Sequence, residues 1–391
     1  MKVVLASLGR FHTHRTASEL RKGDMLGRFF TGHARVPVPV EVAPYTTTYP
    51  LLRFIANYAL TRAGATSALH RSTDHFDGWV ARHIAADSTR MDVFHGYSQY
   101  CLKSLNSAKA KGACCVVERA GAHIDQQIEI VQAASSRWGI PIGSYLQSYF
   151  ATRSRMIAEY DSADWILTCS EGSRRSFCER GISAEKVATI PLGSNFAPVA
   201  SRSPQTGKFT VLSIGGDFVR KGIPTLLEAW EQVNLPNAEL RLITSVPTRL
   251  PYKWRRLLNR RDVCVLGRMG HAQLRIEFQL ASLFCLASLE DGFSMAVLEA
   301  MAHGVPVVVS TGAGSSDLVI EGVNGFTFKP DDLDGLAKHI LFAYQNPEAV
   351  ALMSAASITT ASACNWKLYG DRLRAFYRQI AVSTHCAAGT I

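Results

Sequence analysis

Two uninterrupted apolar runs, Leu283–Ala287 (LFCLA) and Val305–Val309 (VPVVV), constrain this chain more than any other feature. Strands that are apolar on both faces suit a parallel sheet covered by helices on both sides. Between the runs lie a tight loop, Asp291-Gly292-Phe293-Ser294, and a helical stretch from Met295 to His303. Strand, loop, helix, strand is a βαβ unit. Its strand-to-helix loops stand at the carboxyl edge of the sheet, where such folds bind ligands.

The residues at that edge suit an anionic, hydroxylated ligand. Gly292 admits close approach of backbone to ligand, and the free N–H groups of Phe293, Ser294 and Met295 at the helix start favour an anion. Asp291 and Glu299 stand eight residues apart. One carboxylate is therefore in the loop and the other about a turn into the helix, placed to accept hydrogen bonds from sugar hydroxyls. From the residues alone, Glu299 is equally a cap or surface residue of a helix whose other face is core.

A second βα turn precedes this one. Phe209–Ile214 (FTVLSI) reads as a strand, followed by Gly215-Gly216-Asp217-Phe218-Val219-Arg220-Lys221-Gly222 and a helix over Ile223–Val233. Two glycines and an Arg-Lys pair at a helix start make a diphosphate clamp or, equally, a solvated basic turn. Glu239–Ile243 and Val263–Gly267 read as further strands, the last ending in a glycine, Gly267, suited to close approach of a nucleotide.

The rest of the chain extends the pattern. Lys2–Ala6, Asp92–His95, Ala113–Val117 and Trp165–Cys169 read as apolar strands, and Tyr49–Ala65 as an apolar-faced helix packed on a core or, alternatively, resting on a membrane surface. The segment Ser194–Lys208, rich in Ser, Pro and Gly, is a linker. At 391 residues the chain predicts two domains. We place them at 1–195 and 196–373, with 374–391 returning to the first. Hydrophobic residues at 47% and charged residues at 19% describe a globular chain.

Net charge is +10, which suits a nucleoside diphosphate or an acidic lipid surface. No nucleic-acid-binding signature accompanies it, so no nucleic acid is expected. The stretch Arg249–Arg261 holds six basic residues and reads as a membrane-facing helix or a solvated one. No apolar run is long enough to span a bilayer, and the N-terminus lacks the apolar centre of a signal peptide. A cytoplasmic protein is expected, with peripheral contact on the inner face of the membrane. Nine cysteines without CxxC spacing read as buried thiols. Asp332-Leu333-Asp334 reads as a helix cap, so no metal site is expected.

The motif Asp291-Gly292-Phe293-Ser294, followed by Leu298-Glu299-Ala300-Met301-Ala302-His303-Gly304, resembles the donor-binding motif of retaining family-four, group 1 glycosyltransferases. Ala163-Asp164, the strand after it, Ser170, Lys186-Val187 and Ile190-Pro191-Leu192-Gly193 resemble the end of that family's first domain. The chain departs in having Asp291 for the first glutamate, with Glu290 as a neighbouring acid, and Ser294 for the second glycine. Gly216 stands where the family carries an arginine, with Arg220 as its replacement.

The resemblance implies an α/β fold of two Rossmann-like domains facing a cleft (GT-B), the C-terminal helix from Trp366 crossing back to the first domain. It implies a retaining transfer from a UDP- or GDP-sugar, the donor being a co-substrate and no cofactor being needed, to a glycan, lipid-linked or small-molecule acceptor. Glu299 would hold the nucleotide ribose, Asp291 the donor sugar, and Lys221 with Arg220 the diphosphate. His123, after the strand end in Glu118-Arg119-Ala120-Gly121-Ala122-His123, would touch the transferred sugar. Gly9 and His12 would face the cleft. Acceptor selection is expected in the variable parts 36–90 and 246–261. The alternative is an inactive transferase-like binding subunit. An epimerase or phosphorylase on the same fold would need acid/base residues or a pyridoxal lysine for which the sequence gives no sign.

Overall fold

The computed structural model describes residues 1–9, 11–32, 37–50, 66–202 and 207–388. The helix expected over Tyr49–Ala65 lies outside them beyond residue 50.

The apolar runs form strands within two residues of the expected bounds. The first sheet contains β1 (Val3–Ser7), β2 (Leu26–Thr31), β3 (Thr46–Thr48), β4 (Val93–Tyr97), β5 (Cys114–Glu118), β6 (Trp165–Thr168) and β7 (Val187–Thr189), in the spatial order β3-β2-β1-β4-β5-β6-β7. The second contains β8 (Phe209–Gly215), β9 (Ala238–Thr244), β10 (Val263–Leu266), β11 (Leu283–Leu286), β12 (Val307–Ser310) and β13 (Gly325–Phe328), in the order β10-β9-β8-β11-β12-β13. Among the described residues all of these pairings are parallel. Every residue of β4, β5, β11 and β12 is buried, as strands covered by helices on both faces require.

In each sheet the strand order reverses beside the first strand, between β1 and β4 and between β8 and β11. Loops leaving the carboxyl ends of two strands at such a reversal diverge to opposite faces and open a crevice. The loops after β8 and β11 are those that carry Arg220, Lys221 and Asp291.

The final helix, Trp366–Ala388, packs on the first sheet's helix Thr13–Lys22. Its contacts begin at Trp366, whose ring lies over His12 at 6.0 Å. Tyr369 Oη stands 3.0 Å from Thr16 Oγ1, Tyr377 Oη meets His95 Nδ1, and the Phe376 ring packs edge-on against Trp165.

Candidate active site

The turn leaving β8 is closed by its own acid. Asp217 Oδ1 accepts the Arg220 N–H at 2.8 Å, and the Asp217 carbonyl accepts that of Lys221 at 3.0 Å. Gly222 follows at φ +62°, where a Cβ would run into the Ala287 carbonyl, so the turn takes glycine alone. Pro224 then starts the helix Ile223–Val233. The two cations are thereby aimed at the loop after β11.

There Lys221 Nζ forms an ion pair with Asp291, and Arg220 Nη1 lies 3.9 Å from the same carboxylate. Burial pushes Asp291 up, but the charges of Lys221 and Arg220 outweigh it and hold the carboxyl below its ordinary range. Arg220 also donates to the Glu290 carbonyl at 3.2 Å and to Glu290 Oε2 at 3.3 Å. Phe293 and Ser294 are buried, Met295 is half-buried, and Ser294 precedes the helix Met295–Ala302.

Glu299 lies on that helix, 8% exposed, and accepts from Asn195 Nδ2 at 3.1 Å. Burial raises its pKa, and the amide of Asn195 opposes the rise. Asn195 escapes the sequence reading. It sits in the linker, and nothing local marks it as a partner of a residue on a distant helix.

Glu290, the neighbouring acid of the sequence motif, is committed elsewhere. It crosses the cleft, accepting from the Ala122 N–H at 2.9 Å and from Gln127 Nε2 at 2.5 Å. Arg119 braces that side, donating from Nε to the Ala122 carbonyl at 3.0 Å and from Nη2 to Gln127 Oε1 at 2.9 Å. A Cβ on Gly292 would collide with the Ala120 carbonyl. The Asp317 carboxylate accepts the Glu171 N–H, at the start of a first-sheet helix, at 2.9 Å. The two carboxyl edges are in contact.

The structure does not bring His123 into this group. Its ring packs against Tyr160 at 5.3 Å and Phe177 at 5.2 Å, and Nδ1 accepts the Asp125 N–H at 3.3 Å as a helix cap. Burial lowers its pKa to about 4, so the ring is neutral. His123 does not line either of two cavities that reach Asp291.

His12 is likewise interior. Its Nε2 stands 2.7 Å from Glu118 Oε1, while His95 Nε2 stands 3.1 Å from Oε2. Gly9 is half-buried beneath the Phe11 ring. Gly216 and Gly267 are exposed at the rim, with open space where a Cβ would stand.

The basic stretch folds as a helix, Tyr252–Leu258, whose Trp254 and Leu257 are buried. Lys253 pairs with Glu228, and Arg256 pairs with Glu231 at 2.7 Å. Its apolar face is thus spent on the protein's own core. A cavity facing Asp291 is lined instead by Phe11, Tyr97–Tyr100, Tyr145 and Tyr149, outside the segments expected to select the acceptor.

Residues 199–359 match the family described as glycosyl transferases group 1. Over that stretch the chain resembles the group 1 glycosyl transferases. The matched residues include Arg220, Lys221, Asp291 and Glu299. The chain is 27% identical over 216 residues to the glycogen synthase of Mycobacterium tuberculosis, covering 53% of this chain and 51% of that one. It is 24% identical over 264 residues to an MMP alpha-(1->4)-mannosyltransferase of Mycolicibacterium hassiacum, covering 66% and 62%. The chain spans about half the length of the first of these curated relatives.

The fold is that of GT-B enzymes. Sucrose-phosphate synthase from Thermosynechococcus elongatus superposes with a TM-score of 0.69 at 19% identity, covering 98% of this chain and 100% of that one. HepE from Anabaena in complex with UDP and glucose superposes with a TM-score of 0.65 at 16% identity, covering 97% and 100%. Among the described residues, no helix is long and apolar enough to cross a membrane.

Proposed function

We propose that the protein is a retaining glycosyltransferase that moves a sugar from a UDP- or GDP-sugar to a hydroxyl of a glycan, lipid-linked or small-molecule acceptor. The observation that carries this reading is the cluster of Lys221, Arg220 and Asp291 at the strand reversal of the second sheet. HepE, which shares the fold, holds UDP and glucose in its crystal structure, which supports a nucleotide at this edge. The two sheets correspond to domains at 1–195 and 196–373, and the docking of the last helix supports the return of 374–391 to the first.

The bond between the donor's anomeric carbon and its diphosphate oxygen breaks, and a bond from the acceptor oxygen to that carbon forms on the same face. The acceptor's proton passes to the departing diphosphate. Lys221, Arg220 and the helix N–H groups of Ser294 and Met295 stabilise the charge that grows on the diphosphate. Asp291 turns from Lys221 to the donor sugar, and Glu299, oriented by Asn195, accepts from the ribose hydroxyls. His123, held as a helix cap, orients the loop rather than touching the sugar.

The site keeps both acids and the lysine, so nothing in it favours an inactive binding subunit. The protein works in the cytoplasm, where nucleotide sugars are made, and its net charge of +10 supports contact with acidic membrane when the acceptor is lipid-linked.

Thermal unfolding with UDP, GDP, ADP and their sugars tests this reading. A ligand at about a hundred times its Kd adds about 2.7 kcal/mol. A rise with one nucleotide, absent in Glu299→Ala, is expected. No rise with any nucleotide overturns the proposal.

A further inference from the structure

A cavity of about 330 Å³ lies between the carboxyl ends of β1, β4 and β5 and the pair Arg220 and Asp291. That is within the size range of small-molecule sites, roughly 300–1,000 Å³. Aromatic rings form part of its wall. Phe11 stacks on Tyr97 with ring centres 5.5 Å apart and lies 6.3 Å from Tyr100, and Tyr145 and Tyr149 stand opposite on another helix. Phe11 is 51% exposed and Tyr145 63% exposed, so two large rings at its edge are left uncovered.

Gln99 brings an amide into this wall. It is 2% exposed, and its Nε2 has no hydrogen-bond partner among the described residues. A buried amide donor left unpaired is destabilising unless a ligand supplies the missing acceptor. Its backbone stands at φ +87°, a conformation that a non-glycine residue adopts at a further cost.

A buried charged network fixes that bend. Glu159 accepts from the Gln99 N–H at 2.5 Å and from the Cys101 N–H at 2.9 Å. Arg155 donates to the Gln99 carbonyl at 3.1 Å and pairs with Asp77. Three charged residues, each at most 6% exposed, are thereby buried around one loop. Backbone strain, an unpaired side-chain amide and buried charges meet at a single residue at the edge of a cavity.

We infer that this cavity takes an uncharged sugar ring of the acceptor and that Gln99 is its specificity-determining residue, donating from Nε2 to an oxygen of that ring. The inference rests on the transferase reading above. The aromatic wall receives the apolar C–H face of the ring, and the attacking hydroxyl points across the cleft to Asp291. Charge argues against a phosphorylated sugar. Arg119 spends Nε, Nη1 and Nη2 on Ala122, Tyr149 and Gln127, and Arg220 is paired with Glu290 and Asp291.

The test uses the full chain and Gln99→Gly, which relieves the backbone and deletes the amide. Saturation-transfer NMR with a panel of methyl hexosides, and separately with hexose 6-phosphates, reads binding without donor. Nucleotide Kd and the thermal midpoint are measured on both proteins. We expect at least one methyl hexoside to bind, its apparent Kd to rise about tenfold in Gln99→Gly, and nucleotide Kd to stay unchanged with a midpoint equal or higher. A merely structural Gln99 would instead lower the midpoint and leave hexoside affinity alone. Binding of the hexose phosphates only, of no hexoside, or of hexosides equally by both proteins overturns the inference. If nucleotide fails to bind the wild-type chain, the transferase reading falls first, and this one with it.

Discussion

Lys221 and Asp291 face each other as an ion pair in which the two side chains are only 11% and 12% exposed. The group proposed for a diphosphate and the group proposed for a sugar hold each other. Donor binding has to exchange this pair for contacts with ligand, so neither residue is an idle surface charge. Removing one partner strands the other in a buried place, whereas replacing both by apolar residues does not.

Lys221→Met is therefore expected to cost about 3–5 kcal/mol of stability in urea denaturation. The double variant Lys221→Met with Asp291→Leu recovers most of that loss yet remains inactive in nucleotide release. Equal instability of the single and double variants would sink this account of the pair.

Glu299 and Asn195 make a prediction of affinity. Hydrogen bonds to a charged group contribute about 1.5–3 kcal/mol each, so Glu299→Ala weakens nucleotide binding roughly ten- to hundredfold. A 2′,3′-dideoxy nucleotide should bind wild type and variant alike. Binding through the carboxylate fails as pH falls through the Glu299 pKa. Asn195 lowers that pKa, so Asn195→Ala moves the loss of affinity to higher pH, as titration calorimetry across pH would record.

Gly292 tests the closed cleft. An added Cβ meets the Ala120 carbonyl of the facing loop, so Gly292→Ala wedges the edges apart. Solution X-ray scattering should give a larger radius of gyration. Transfer should drop about a hundredfold, since misplacement by about 1 Å carries that cost. An unchanged radius would show that the loops yield locally.

Two buried acids give opposite pH slopes. Burial opposes the charge of Glu118, but His12 and His95 outweigh it and lower its pKa from 4.5 to about 2. Its contribution is full above about 4.5 and disappears as pH falls towards 2, roughly 3 kcal/mol in all. Burial raises Glu159 to about 7, so its contribution is full below about 4.5 and is lost as pH rises through 7. Denaturation across pH should show Glu118→Gln flattening the acid limb and Glu159→Gln flattening the limb near neutrality.

In the second sheet β10, β11 and β12 were legible as apolar runs, and Asp332 marked a helix start that the structure caps as expected. The short strands β3 and β7, with three residues each, and β13 were not legible. Their Thr- and Gly-bearing sequences carry no run and are set by pairing to neighbours. In the site, Lys221, Asp291 and Glu299 stood out through the resemblance of their motifs, local spacing alone leaving each open to a structural reading. Asn195, Gln99 and the crossing of Glu290 to Ala122 depend on segments far apart in sequence. His123 follows the expected strand end, and its Nδ1 caps its own helix, a local bond that position alone does not reveal.

The last helix, docked through Trp366, Tyr369 and Tyr377 onto Thr16, His12 and His95, has a consequence for synthesis. Strand β7 ends at Thr189, so the ribosome delivers all of the first sheet, and then all of the second, before Trp366 emerges. Until then the cover of the His12–Glu118–His95 cluster is missing, and the nascent first sheet waits with that surface open to chaperones. The half made first is completed last.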